Sequence, residues 1–91
     1  MRKRLSIVIR GRVQGVGFRY FTLDSAGIYG ISGWVRNGDD GSVEIEAQAE
    51  ELSLHEFVEN VKEGPPGSEV LSCSCSEINV IENEKNFKIR H

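Results

Sequence analysis

The sequence predicts an α+β sandwich: two helices on one face of an antiparallel sheet, in the order β-α-β-β-α-β with a short extra strand at the C-terminus. Three observations predict it. Residues 4–11 alternate apolar and polar at period two, the period becomes helical from Phe18, and a second helical period follows a pair of strand-like segments. At 91 residues the chain is read as one domain, spanning 1–91, whose single core removes about two thirds of the unfolded surface from water.

Each element has its own signal. "RLSIVIRG" sets Leu5, Ile7 and Ile9 against Ser6, Val8 and Arg10 and is rich in β-branched residues, which favours a strand. Phe18, Phe21, Thr22, Ser25, Ala26 and Tyr29 fall on one stripe of a helix that ends near Tyr29, with Gly30 just beyond it. "ISGWVRN" and "SVEIEAQA" flank the turn-rich "GDDG" and form a hairpin with Val43, Ile45 and Ala47 on one face. In the second helix Ser53 and Glu56 make a capping box, and Leu52 and Phe57 a hydrophobic staple. Its buried stripe is Leu54, Phe57, Val58 and Val61, and Gly64 with Pro65 and Pro66 stops it. A fourth strand over roughly Glu69 to Val80 and a short one over Asn86 to Arg90 complete the chain. The economical packing of this order is the split βαβ, or ferredoxin-like, layout. That layout serves unrelated activities, so function has to be read from side chains.

Composition narrows the choices. With 11 basic and 14 acidic residues the net charge is −3, which argues against a general nucleic-acid binder or an anionic-membrane binder. The apolar run near the N-terminus is interrupted at Ser6 and is too short for a secretion signal or a membrane span, so the expected compartment is the cytoplasm. Cys73 and Cys75, two apart on a strand, share a face in a geometry poor for a disulfide. The only histidines, His55 and His91, have no metal-ligand spacing, so no metal site is expected. Trp34 reads as core or half-buried sheet packing, and Asp24, Asp39 and Asp40 as solvated helix and turn residues.

One stretch is costly. "GRVQGVGFRYF", residues 11–21, places Gly11, Gly15 and Gly17 close together, and each glycine loses more backbone freedom on folding than another residue would. Between a strand and a helix, successive backbone N–H groups can converge on an anion, and the positive end of the helix adds to them. Gly15 and Gly17 would supply positive φ or close backbone approach, and Arg19 a planar fork of donors suited to phosphate or carboxylate. No Gly-Lys-Ser/Thr follows, which disfavours a magnesium nucleotide. A tight strand-to-helix turn with a surface arginine has the same composition, and the loop alone does not choose. Asn37, just before "GDDG", is either a turn asparagine or a carboxamide able to hold a water in a fixed orientation.

Residues 11–47, "GRVQGVGFRYFTLDSAGIYGISGWVRNGDDGSVEIEA", resemble the signature region of the acylphosphatases, small hydrolases of carboxyl-phosphate anhydrides. "FVENVKEGPPGSEV" resembles the second helix and turn of that family, and "FKIR" its last strand. The resemblance implies a sheet of order 4-1-3-2 with a fifth strand at an edge. It also implies a phosphate cradle of backbone amides from Gln14, Gly15, Val16, Gly17, Phe18 and Arg19. In it the Arg19 guanidinium binds the phosphoryl oxygens and Asn37 positions the attacking water. No cofactor or metal is implied. The implied partners are a small acyl phosphate as substrate and inorganic phosphate as product and inhibitor; the charge balance argues against nucleic acid and membrane, and a short chain with a complete helical layer is expected to be a monomer. The chain departs from the family at Gly38, where a threonine or other side chain often supports the asparagine, and "AEELSLHEF" lacks a glycine common before the second helix. Two other classes fit the fold. RNA-binding modules stack bases on central-strand aromatics, which "LSIVIR" and "SVEIEAQA" lack, and a related carbamoyl-phosphate domain carries a proline where Tyr20 stands.

Overall fold

In the computed structural model, which describes residues 1–91, the apolar alternation of the first segment becomes a longer strand, β1, over Arg2–Arg12. The remaining elements are α1 (Phe18–Tyr29), β2 (Ser32–Asn37), β3 (Val43–Glu50), α2 (Glu51–Glu63), β4 (Glu69–Ile78) and β5 (Phe87–Ile89). The strands lie in the order β4-β1-β3-β2-β5, matching the 4-1-3-2 arrangement with the fifth strand at an edge. One expectation is corrected: β5 pairs with β2 in parallel, through Gly33 with Phe87 and Val35 with Ile89, so the sheet is mixed rather than antiparallel. The cause is the connection of residues 79–86, which carries the chain from one edge of the sheet to the other before β5 begins.

Both helices cover one face. Ile7, Ile9, Val35, Val43, Ile45 and Ala47 from the sheet meet Phe18, Ala26, Leu54, Phe57 and Val61 from the helices, all buried. Phe57, with no exposed surface, lies edge-on to Phe87 and ties β5 to this core, so truncating it costs about 3–5 kcal/mol. The stripe of α1 is as expected at Phe18, Thr22, Ser25 and Ala26, with Phe21 and Tyr29 half-buried. Ser25 Oγ donates to Asn60 Oδ1 at 2.6 Å and joins the two helices.

The start of α2 differs from expectation. Its N-cap is Glu50, no side chain caps it, Ser53 lies inside the first turn and Leu52 is 72% exposed, so neither the capping box nor the staple forms. The reason is the register of β3, which stays paired to its last residue (Glu50 opposite Arg2), so strand passes to helix with no loop between. That junction needs no glycine, in keeping with "AEELSLHEF".

The outer face carries a second surprise. Arg4 is wholly buried because the 79–86 connection crosses over it. It donates to Glu46 at 2.9 Å, to Gln48 at 3.1 Å, and to both carboxylate oxygens of Glu84 at 2.7 and 3.3 Å. Gln48 exchanges two 2.8 Å hydrogen bonds with the Ile81 backbone, so β3 holds the same connection. Burial pulls the Arg4 pKa down, yet the bonds to Glu84 and Glu46 outweigh it and hold the guanidinium charged. Cys73 and Cys75 share the β4 face opposite Ile9 and Ile7 and are free thiols. Burial, then the neighbouring Cys75, pushes the Cys73 thiol up to about 11. No helix is long and apolar enough to cross a membrane.

Candidate active site

Beyond β1 the chain makes a five-residue connection, Val13 to Gly17, and enters α1. Gly15 and Gly17 have φ of 75° and 78°, the left-handed region that side chains other than glycine adopt at a cost. A Cβ at either would meet nothing within 4 Å, so the glycines serve backbone direction there and open space lies above them. Gly11 behaves differently and is no part of this loop. It sits in β1 at the register shift against β4, at φ 133°, where a Cβ would run into the Glu69 carbonyl oxygen.

Gly17 caps α1 in the left-handed conformation, and the first backbone bond of the helix is Phe21 N–H to Gly17 O at 3.0 Å. No side chain caps this end and no acidic residue occupies its first turn. The N–H groups at the start of α1 therefore point outward without an intrahelical acceptor, beside the positive end of the helix dipole. Val13, Gly15, Gly17, Phe18, Arg19, Tyr20 and Asn37 enclose a pocket of about 140 Å³ at this point. Arg19 is partly exposed, with Nη1 3.4 Å from His91 Nδ1. Tyr20, 65% exposed, forms the pocket's outer lip.

Of the residues expected at the site, Gly15, Gly17, Phe18, Arg19 and Asn37 thus line one pocket. The side chains of Gln14 and Val16 turn elsewhere. Val16 packs against the core. Gln14 Nε2 donates to the backbone oxygens of Gly38 and Ser42, each at 2.8 Å, and so ties the loop to the β2–β3 turn that begins at Asn37. Gly38 completes this brace through its backbone, donating to Ser42 O at 2.8 Å. A Cβ at Gly38 would press on Ser42 Oγ at 2.6 Å and on Asp40 Oδ1 at 2.9 Å, so the turn as built leaves little room for a side chain at position 38.

Asp40, expected as a solvated turn residue, holds that turn together although it is exposed. Its Oδ1 accepts from Ser42 Oγ at 2.6 Å and Ser42 N at 3.1 Å, and its Oδ2 from Arg10 Nη1 at 2.8 Å. The Ser42 hydroxyl first, and Arg10 next, hold its carboxyl well below the usual range. The Gln14 and His91 contacts and the Asp40–Arg10 pair join residues of separate segments, so spacing along the chain does not reveal them. No three or more His, Cys, Asp or Glu side chains cluster as a metal site would require.

The profile of the Acylphosphatase family matches residues 5–89. The chain belongs to the acylphosphatase family. It is 45% identical over 89 residues to the acylphosphatase of Clostridium acetobutylicum, covering 98% of each chain. The crystal structure of acylphosphatase from Bacillus subtilis superposes with a TM-score of 0.94 at 45% identity, covering all of both chains. Full-length HypF in its phosphate- and nucleotide-bound form also matches, with a TM-score of 0.91 at 35% identity, but this chain corresponds to only 12% of that one. Membership accords with the ferredoxin-like fold and with a hydrolase acting on acyl phosphates.

Proposed function

We propose that the protein hydrolyses the carboxyl-phosphate bond of acyl phosphates to carboxylate and inorganic phosphate, by in-line attack of water and without a metal or cofactor. The observation that carries this reading is the single pocket onto which the start of α1, the Arg19 side chain and Asn37 converge. The amides of Gln14 to Arg19 hold the phosphoryl group and the Arg19 fork binds two of its oxygens. The Asn37 carboxamide aims a water at phosphorus. As the new P–O bond forms, the bond to the acyl oxygen breaks and its electron pair leaves with the carboxylate. The water's proton passes to a phosphoryl oxygen.

This scheme needs no acid or base side chain. The leaving group is the anion of an acid with a pKa of about 4–5, so it departs without protonation. Catalysis then depends on position and on charge stabilisation at the equatorial oxygens, which N–H donors and one arginine supply. Inorganic phosphate, as product, fits the same cradle and acts as a competitive inhibitor. We take the chain as a single domain acting as a cytoplasmic monomer.

The test is hydrolysis of benzoyl phosphate followed by ultraviolet absorbance, with EDTA present and inorganic phosphate titrated. Chelator-resistant turnover with competitive inhibition by phosphate is the expected result. Phosphate binding without turnover on benzoyl or acetyl phosphate overturns the hydrolytic reading.

A further inference from the structure

On the outer face of the sheet, away from the helices and the Arg19 pocket, Gly33, Trp34, Asn83, Glu84, Lys85, Asn86, Lys88 and Arg90 line a second pocket of about 380 Å³. Three of its side chains are cations, in a protein of net charge −3. None of the three forms an ion pair with the protein. The one carboxylate in the lining, Glu84, feels Arg90 but has both oxygens engaged by Arg4. Three like charges around one cavity repel, and an anion between them removes that cost.

The aromatic wall sharpens the chemistry. The Arg90 guanidinium lies 4.7 Å from the Trp34 ring centroid and the Arg36 guanidinium 5.3 Å from it. Attraction to the indole holds the Arg90 guanidinium at this wall, and its N–H groups form no ion pair with the protein. Arg36 is already paired, donating from Nε to Glu44 at 2.7 Å. Two guanidinium groups near the ring compete with a nucleobase for it. Glu44, Glu46 and Glu84 on the same face would repel an extended polyanion such as nucleic acid.

We infer that this pocket is a second anion site, separate from the Arg19 cradle, that takes a compact, multiply charged oxyanion of the phosphate class, gripped by the Arg90 fork, Lys85 and Lys88. The Asn83 and Asn86 carboxamides complete its polar lining. The site does not depend on the hydrolytic reading. The chain just beyond β5 links the two pockets, because Arg90 is followed by His91, which reaches Arg19.

The only tryptophan of the chain stands in this pocket and reports on it. Inorganic pyrophosphate is titrated into Arg19→Ala protein, which weakens the cradle, with calorimetry and Trp34 emission read together. The expected result is a saturable isotherm with a matching emission change, weakened about tenfold or more in Arg19→Ala carrying Lys85→Ser and Lys88→Ser. Arg19→Ala carrying Arg90→Ser, confirmed folded by its melting curve, should lose the emission change. Absence of saturable binding in Arg19→Ala, or unchanged affinity in the lysine variant, overturns the site. Tighter binding of a single-stranded oligonucleotide than of pyrophosphate overturns the compact occupant.

Discussion

Arg4, near the start of β1, and Arg19, in the first turn of α1, place the same guanidinium in opposite circumstances. Arg4 has no exposed surface and donates to three side chains, one of them bidentately. Arg19 stands partly exposed at a pocket mouth with one long 3.4 Å approach to an imidazole. Donors already engaged by fixed acceptors hold the structure together, whereas donors facing an open pocket are available to a ligand whose charge changes during reaction. The difference separates an arginine engaged by the fold from the one proposed to act on substrate, and it can be broken experimentally from either side.

The largest expected effect is at Arg19. Arg19→Ala should lower kcat on benzoyl phosphate by a factor on the order of 10² to 10³ or more with the melting temperature unchanged. Arg19→Lys should recover little, because a point charge does not replace a fork. Near-normal turnover in either folded variant would remove Arg19 from the mechanism. Arg4→Ala should do the converse. It strands the partly buried Glu46 and Glu84 and should cost about 2–4 kcal/mol in denaturant unfolding, with kcat per folded molecule retained.

Smaller effects sharpen the contrast inside the site. Asn37→Ala should lose about 10² in kcat while inorganic phosphate still inhibits at similar concentration, and an equal loss of phosphate affinity would make Asn37 a binding residue instead. Gln14→Ala, which cuts both bonds from the loop to the turn, should lower kcat about tenfold through misplacement of Asn37, an effect Gln14→Glu should not rescue because a carboxylate cannot donate to two carbonyls. The smallest effect is on pH. Burial alone would raise the Glu84 pKa, but hydrogen bonds from Arg4 and Ser32 hold it below its ordinary value. The stability Glu84 contributes is therefore complete above the unfolded value of about 4.3 and lost as pH falls through the folded one. Thermal melts from pH 6 to pH 3 should show this loss in the wild type and a shallower one in Arg4→Ala.

The site was legible to an uneven degree. Gly15, Gly17, Arg19 and Asn37 stood out because their types are informative on their own: glycine for a positive φ, arginine for a fork, asparagine beside a turn. Gly11 looked like a member of the same group and proved to be a bulge residue, since only its contact with Glu69 on β4 distinguishes the two uses. Ser53 and Glu56 had the spacing of a capping box, but β3 stayed paired through Glu50 and the helix began before they could cap it. Gln14 was placed for its amide alone, and its side chain proved to be the tie between loop and turn.

The sequence by itself determined the type and order of the elements, the apolar faces of β1, α1 and β3, and the glycine-built turn between β1 and α1. Those properties depend on the period of neighbouring residues and on the backbone freedom of single glycines, both local. Only the tertiary structure decided that β5 enters parallel to β2, that Arg4 is buried under the 79–86 connection, and that Gln14 and Asp40 brace the turn holding Asn37. Each of these rests on a partner 24 to 80 positions away, and hydrogen bonds over such separations exist only once the sheet has brought the segments together.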